Sequence, residues 1–204
     1  MDLAAFKPST THEVEMANTG TVQAGTSTWH MDSVHSSIEF SVKHMMMTTV
    51  RGRFKEANAT LTGNEEHPDQ GNVEVAIDAG TIDTGAPDRD THLRSADFLD
   101  VENHPKITFR SKRVNGSFRS EGDEFELIGD LTIRGSAMEV TLDCVFEGRG
   151  KDPWGKERVG FSAKGEIDRR EWGLKWNQAI ETGGILVANK VRIEAEVQFV
   201  RDEG

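Results

Sequence analysis

Histidines and carboxylates are the first residues to test for chemistry, because together they can bind a metal ion. The chain has seven histidines. His35 and His44 are an odd number of residues apart, so on one continuous strand their side chains point to opposite faces. His92 follows alternating acids in the stretch Asp88–His92, a pattern that favours a charge-complemented helix start over a metal site. The sequence therefore predicts no metal site and no metal cofactor.

The sequence contains no clear set of residues for nucleophilic catalysis. The chain lacks a Gly-x-Ser-x-Gly turn and a phosphate-binding Gly-rich loop followed by Lys-Ser/Thr. Cys144, the single cysteine, lies on an alternating apolar face, where an unpaired thiol is usually inert packing. None of the 35 acidic residues interrupts an apolar face as a buried catalytic acid would. We therefore predict no catalytic residues.

Composition narrows the class of protein further. The chain has 204 residues, 24 Lys and Arg against 35 Asp and Glu, a net charge of −11 and a mean hydropathy of −0.55. No segment approaches the ~20 apolar residues of a membrane-spanning helix. The acidic balance argues against nucleic-acid binding, which relies on basic surface to displace counterions from phosphates. These features predict a soluble domain with neither nucleic acid nor a membrane span.

The first 28 residues differ from the rest because they are small, polar and without any sustained period. They predict a disordered N-terminal tail, residues 1–28, before a folded domain of residues 29–204. The tail lacks the basic start and the apolar run of a secretory signal, which favours a cytoplasmic protein. The alternative is a peptide whose targeting information the residues do not reveal.

From Trp29 onward the chain alternates between apolar and polar residues, which is typical of β-strands. The turn Arg134-Gly135 is short enough for a hairpin. Short helices are predicted at 87–95, which opens with Pro87, and at 170–177. Eight strands, each with one apolar face, must enclose that face in a barrel or a sandwich. The predicted strands are Ile38–Lys43, Arg53–Thr62, Val73–Ala79, Lys106–Val114, Glu124–Ile133, Met138–Phe146, Val159–Ile167 and Val191–Phe199.

An eight-stranded barrel is at the size where side chains fill the interior or one small ligand occupies it. Gly129, Ala163, Gly165 and Ala195 lie on predicted inward faces. Small residues there leave volume unfilled, which favours a cavity, although bends or tight contacts between strands explain them equally well.

Seven segments carry recognisable motifs: Asp32–Met45, Val50–Phe54, Asp88–Asp100, His104–Phe109, Gly129–Gly135, Asp152–Gly155 and Arg169–Leu174. In this order they resemble the motifs of the YceI-like family of bacterial polyisoprenoid-binding proteins, from about Trp29 to the C-terminus. The resemblance implies an all-β, lipocalin-like barrel of eight antiparallel strands that binds a long isoprenoid or related amphipathic lipid. Many members carry a secretory signal and act in the periplasm, which is the alternative to a cytoplasmic location.

We expect non-enzymatic lipid binding, with a bound isoprenoid or fatty-acid-like lipid as ligand and no other cofactor. The alternatives are a barrel enzyme for a small hydrophobic substrate and a packed interaction scaffold, and a homodimer is also allowed. Trp172 and Trp176 are candidates for the ligand mouth, or else plug one barrel end. His35, Arg94 and Asn177 are candidates for head-group contacts. The expected wall residues are Phe40, Val42, Phe109, Leu131, Leu142, Phe161 and Ile193.

Because the N-terminal composition predicts no core contacts, deleting Met1–Gly25 should barely change thermal stability. The melting temperature of the truncated protein, measured by circular dichroism, should lie within about 5 °C of that of the full chain. A larger fall would place part of this segment in the folded core.

Overall fold

Antiparallel strands dominate the part of the chain that the structure, a computed structural model, describes: residues 25–64, 66–179 and 185–202. The described ranges contain eleven strand segments and one α-helix, α1, at Pro87–Arg94. The strands are β1 Thr26–Met31, β2 Ser37–His44, β3 Thr48–Phe54, β4 Ala57–Asn64, β5 His67–Asp78, β6 Ile82–Asp83, β7 Lys106–Asn115, β8 Glu124–Ile133, β9 Ser136–Lys151, β10 Glu157–Asp168 and β11 Val187–Arg201.

The strands form one closed antiparallel barrel. Its ring runs β1-β4-β5-β7-β8-β9-β10-β11 and closes where β11 pairs with β1. β2, β3 and β6 continue the first three strands beyond short breaks, since β2 pairs with β11 and β3 pairs with both β2 and β6. The eleven described segments therefore make eight meandering strands. The predicted fold class, an eight-stranded antiparallel barrel with short helices in its connections, is confirmed.

The first strand begins earlier than the sequence analysis places it. β1 starts at Thr26, so the predicted boundary between residues 28 and 29 lies inside this strand. The inward side chains of β1 are Ser27 and Trp29, and the Trp29 indole N–H donates to Ser27 Oγ at 2.8 Å. A buried serine weakens the apolar alternation, which is why the pattern missed the strand. Residues 1–24 of the predicted tail lie outside the described residues.

Local turn chemistry follows the sequence at two connections and departs from it at a third. Arg134 and Gly135 both have positive φ, 50° and 73°, as a two-residue hairpin turn requires, and they join β8 to β9. α1 begins with Pro87, as predicted. The helix predicted at 170–177 is only a 3₁₀ turn at Arg169–Trp172, because Gly173 adopts the left-handed conformation with φ 77° and ends it.

One end of the barrel is closed by α1 and by the segments that follow α1 and the 3₁₀ turn. Phe98 and Leu99 lie buried after the helix, and Trp172 and Leu174 lie buried after β10. These four side chains belong to the same buried cluster as Ile133 of β8. We call this end the floor.

An ion-pair cluster on the outer wall joins the connection between β1 and β2 to the hairpin between β9 and β10. Arg158 of β10 donates to Asp32 Oδ2 at 2.6 Å and to Asp152 Oδ2 at 2.9 Å. The Arg158 guanidinium, followed by the His35 ring, holds the pKa of the Asp32 carboxyl well below its usual range. Near the floor, hydrogen bonds from Arg170 lower the pKa of Asp168 to about 2.

These carboxyl pKa values predict acid-sensitive stability. A carboxylate whose pKa is lower in the folded state than the unfolded value of about 3.9 stabilises the fold fully above that value. Its contribution is lost as the pH falls through the folded pKa. The free energy of unfolding in urea should therefore drop between about pH 4 and pH 2, and Asp32→Asn should make that drop shallower. If the wild type has the same free energy of unfolding at pH 4 and at pH 2, the lowered pKa values of these carboxyl groups are contradicted.

Candidate functional site

The barrel interior contains two apolar cavities, one above the other. The lower chamber, about 170 Å³, lies against the floor, and the upper chamber, about 130 Å³, lies above it. Ile38 of β2 borders both, so the chambers are neighbours along the barrel axis. The surface of the lower chamber is wholly apolar and that of the upper chamber nearly so.

A third cavity, about 290 Å³, lies at the barrel end opposite the floor, and we call it the mouth. Leu61, Pro68, Phe118 and Phe161 border both the mouth and the upper chamber, so the interior continues from one into the other. Unlike the chambers, whose surfaces are apolar, the mouth has polar surface from its side chains. The polar side chains are those of Ser27, Asn64, Arg119 and Arg149.

Arg169 shows how the lower chamber remains apolar although an arginine borders it. The Arg169 guanidinium donates to the carbonyl oxygens of Leu174 at 2.6 Å, Trp176 at 2.9 Å and Ala188 at 3.0 Å. Burial lowers the pKa of this guanidinium. These hydrogen bonds direct the charged group toward backbone carbonyls and connect the floor to β11. Only the alkyl part of the side chain therefore faces the chamber.

The seven predicted wall residues all border these chambers. Phe40, Val42, Leu131 and Ile193 border the lower chamber. Phe109, Leu142 and Phe161 border the upper one. Strand alternation was enough to assign their inward direction, and their contact with a ligand stays a prediction.

The two tryptophans proposed for the mouth lie instead at the floor, so that placement is wrong. Trp172 is 2% exposed, and its indole N–H donates to the Leu131 carbonyl oxygen at 3.0 Å. Trp176 is half-buried, with its ring 4.6 Å from the ring of His92 and 5.2 Å from that of Phe98. Both plug the closed end, which was the alternative reading of this pair.

The three predicted head-group residues border neither chamber nor the mouth. His35 lies on the outer wall, where its ring contacts Asp32 at 2.9 Å. Arg94 donates to the carbonyl oxygens of Gly80 and Ile82 and so fixes α1 to β6. Asn177 exchanges hydrogen bonds with the backbone of Val187. Nothing in the described structure brings these residues together, and each holds a connection in place.

The mouth residues that the sequence analysis missed come from segments that are far apart in the chain. Trp29 lies at the mouth because β1 closes the barrel, and Asn64 lies there because β4 ends at the rim of the mouth. Phe118 and Arg119 lie in the β7–β8 connection, and Arg149 lies near the end of β9. No local pattern links these residues, because only the closure of the barrel makes them neighbours.

The small inward residues fall into two groups. A Cβ atom on Gly129 would collide with the backbone carbonyl oxygen of Arg110 and lie 2.7 Å from Phe109 Cζ, and one on Gly165 would lie 2.7 Å from Leu142 Cδ2. Neighbouring atoms therefore occupy the space at both glycines, as the tight-contact alternative holds. Ala163, in contrast, borders the upper chamber and leaves volume there.

Other chemical groups in the described ranges show no reactive arrangement. Burial raises the pKa of the Cys144 thiol to about 12, which keeps it protonated. No set of three or more His, Cys, Asp or Glu side chains in these ranges is placed to hold a metal ion. None of the helices there is long and apolar enough to cross a bilayer.

The closed barrel, its apolar interior and its motifs agree with a known family, since the model of the YceI-like domain matches residues 29–199. The chain belongs to the YceI-like family. The UPF0312 protein SERP2314 of Staphylococcus epidermidis is 38% identical over 175 residues, which cover 85% of this chain and 98% of that protein. The resemblance expected from the sequence is thereby confirmed.

Solved structures show the same fold. The YceI protein of Campylobacter jejuni is similar with a TM-score of 0.67 and 26% identity, over 79% of this chain and 90% of that one. A polyisoprenoid-binding domain from Saccharophagus degradans, implicated in plant cell wall breakdown, has a TM-score of 0.64. It is 11% identical and covers 87% of this chain and 99% of its own.

Placing a large ring in the upper chamber should block the passage from mouth to floor. The ring introduced by Ala163→Phe should point into that chamber, because Ala163 lines it. Overpacking of this kind lowers folding stability by about 1–3 kcal/mol, so the barrel should still fold. Long-chain ligands should lose at least about tenfold in affinity, while circular dichroism should show a folded barrel. Lys164→Phe, on the exposed face of the same strand, is the matched control. Full affinity in the Ala163→Phe variant would place the ligand elsewhere.

Proposed function

We propose that the protein binds a long isoprenoid or a similar amphipathic lipid inside its barrel, for storage or transport and without catalysing a reaction on it. The observation that carries this proposal is the arrangement of the cavities. Two apolar chambers lie in line behind a mouth that has polar side chains, and the far end is closed by Trp172 and its neighbours. An interior of this kind matches a molecule with one long apolar chain and one polar end.

The polarity of the cavities also orients the ligand. A polar head in the lower chamber would find no hydrogen-bonding partner, at a cost of about 2–7 kcal/mol. At the mouth, Asn64 and Arg119 carry donor groups, and the charged pair of Arg149 and Glu157 lies beside them. The apolar chain therefore enters first and lies toward the floor, and the head stays at the mouth.

Transfer energies support useful affinity. A chain with about twenty buried carbons gains on the order of 16 kcal/mol, at about 0.8 kcal/mol per CH₂ group. Lost freedom and ordering oppose this by about 4–15 kcal/mol. The difference is about 1–12 kcal/mol, and binding is micromolar or better where the opposing cost stays below about 8 kcal/mol.

The ionisable groups around the chambers favour binding over catalysis. Cys144 is protonated with a pKa of about 12, and the Arg169 guanidinium is bound to backbone carbonyls. Glu39 borders the lower chamber from an exposed position on β2, between the inward residues Ile38 and Phe40. None of the three is a general acid or base that faces a bound chain.

The printed description of the Saccharophagus degradans domain as polyisoprenoid-binding supports the same ligand class for this chain. The packed-scaffold alternative finds less support, because open volume lies along the barrel interior. The cytoplasmic location and the homodimer stay predictions of the sequence.

Chain length is the variable that tests the proposal. Affinity for prenyl chains should rise with each added unit until the passage from mouth to floor is full, and then stop rising. Isothermal titration with prenols of increasing length measures this, and mass spectrometry of an organic extract identifies any lipid carried through purification. Affinity that keeps rising with length would indicate adsorption to the outside, and absence of binding at every length would favour the packed scaffold.

A further inference from the structure

The hairpin between β9 and β10 presents a tryptophan that the lipid-binding cavity does not use. Trp154, at the hairpin tip, is 82% exposed. The other three tryptophans of the chain differ, because Trp29 and Trp172 are buried and Trp176 is half-buried. A tryptophan at an exposed hairpin tip is a candidate contact residue, because it joins a large apolar ring to a polar N–H group.

The tip is held in one conformation by its own hydrogen bonds. Asp152 Oδ1 accepts from the backbone N–H groups of Trp154 at 3.0 Å and Lys156 at 2.9 Å. Asp152 Oδ2 accepts from Arg158, which also binds Asp32. The turn is thereby anchored to the outer wall of the barrel, and little ordering of its backbone remains to oppose a contact by Trp154.

The same arginine holds a second exposed apolar side chain. Asp32, the other carboxylate on Arg158, accepts from the backbone N–H of Val34 at 3.1 Å. Val34 is 84% exposed. Two turns of the same kind, each with an acid followed two residues later by an exposed apolar residue, therefore meet at one guanidinium.

The hairpin is basic although the chain as a whole is acidic. Its segment 149–158 contains Arg149, Lys151, Lys156 and Arg158 against two acids, whereas the full chain has a net charge of −11. Arg158 is engaged by Asp32 and Asp152. Lys151 and Lys156 are exposed and lie on either side of Trp154 in the sequence. The surplus positive charge therefore flanks the exposed ring.

The hairpin also stands at the open end of the barrel. Arg149 of β9 and Val159 of β10 both border the mouth, and the tip extends beyond them. A ligand that enters or leaves through the mouth passes beside this hairpin.

We infer that the β9–β10 hairpin docks the mouth of the barrel onto an anionic lipid bilayer, with Trp154 at the headgroup level and Lys151 and Lys156 against acidic lipids. The inference rests on the proposed function, since a long isoprenoid dissolves in bilayers and reaches the mouth from one. Tryptophan rings favour the membrane interface because they join an apolar body to a polar N–H group. Lysines near an anionic leaflet each add about fivefold to binding.

Vesicle binding of the full-length protein tests this docking. The probes are vesicles of phosphatidylcholine alone and vesicles that also contain phosphatidylglycerol, with binding measured by co-sedimentation. The wild type should prefer the anionic vesicles and lose that preference in high salt. Trp154→Ala should weaken binding by about tenfold or more. Lys151→Glu and Lys156→Glu should each weaken it by at least about fivefold.

Met46→Ala is the matched control, because Met46 is also an exposed apolar residue on a hairpin tip, between β2 and β3 at the floor end. It should leave vesicle binding unchanged. A loss in Met46→Ala with none in Trp154→Ala would reverse the orientation and overturn the inference. If the wild type binds neither kind of vesicle, the inference is also overturned. Trp154 would then be a candidate contact for a protein partner.

Lipid extraction of the same preparations separates the two proposals. Trp154→Ala should retain the bound lipid of the wild type, since Trp154 borders none of the three cavities that make up the interior and its mouth. Bound lipid without vesicle binding would leave the proposed function standing and remove the docking surface. Vesicle binding that depends on Trp154, without any ligand in the barrel, would do the reverse.

Discussion

Closure of the sheet is the constraint on which the rest of this structure depends. A meander of eight strands has two edges, and exposed edge N–H and C=O groups invite pairing with other chains. The fifteen-residue β11 resolves this because one of its edges pairs with β10 and the other with β1 and β2. Once the ring is closed, the inward faces must meet one another, and how well they fill the space decides whether the protein encloses a ligand.

Packing inside the ring is dense at some levels and open at others. At two strand glycines a large neighbour lies over the glycine, Phe40 over Gly52 and Phe109 over Gly129. These contacts let the strands curve without leaving a void. Ala163 and Ala195 have no such partner filling the space in front of them, and they border the upper chamber. In the upper chamber, open volume therefore lies beside alanines, whereas neighbouring atoms fill the space at Gly52 and Gly129.

The two ends of the barrel differ because different connections fold over them. At the floor, Trp172 and Arg169 donate their N–H groups to backbone carbonyl oxygens, so the chamber above them is apolar. At the mouth, strand ends and the β7–β8 connection leave Arg119 and Arg149 beside the opening. Polarity thus increases from the floor to the mouth. The charged residues of the β9–β10 hairpin extend this gradient of polarity onto the outer surface.

The sequence by itself determined most of the strands, the inward direction of their side chains and the family. Alternation with a period of two reports which face a side chain such as Leu131 or Phe161 takes, and the short turn at Arg134-Gly135 sets the register of its hairpin. Alternation does not report the level of a residue along the barrel axis or the residues it meets there. Only the tertiary structure therefore decided that Trp172 lies at the floor and Trp29 at the mouth, because pairing between distant strands and folding of the connections over one end set those positions.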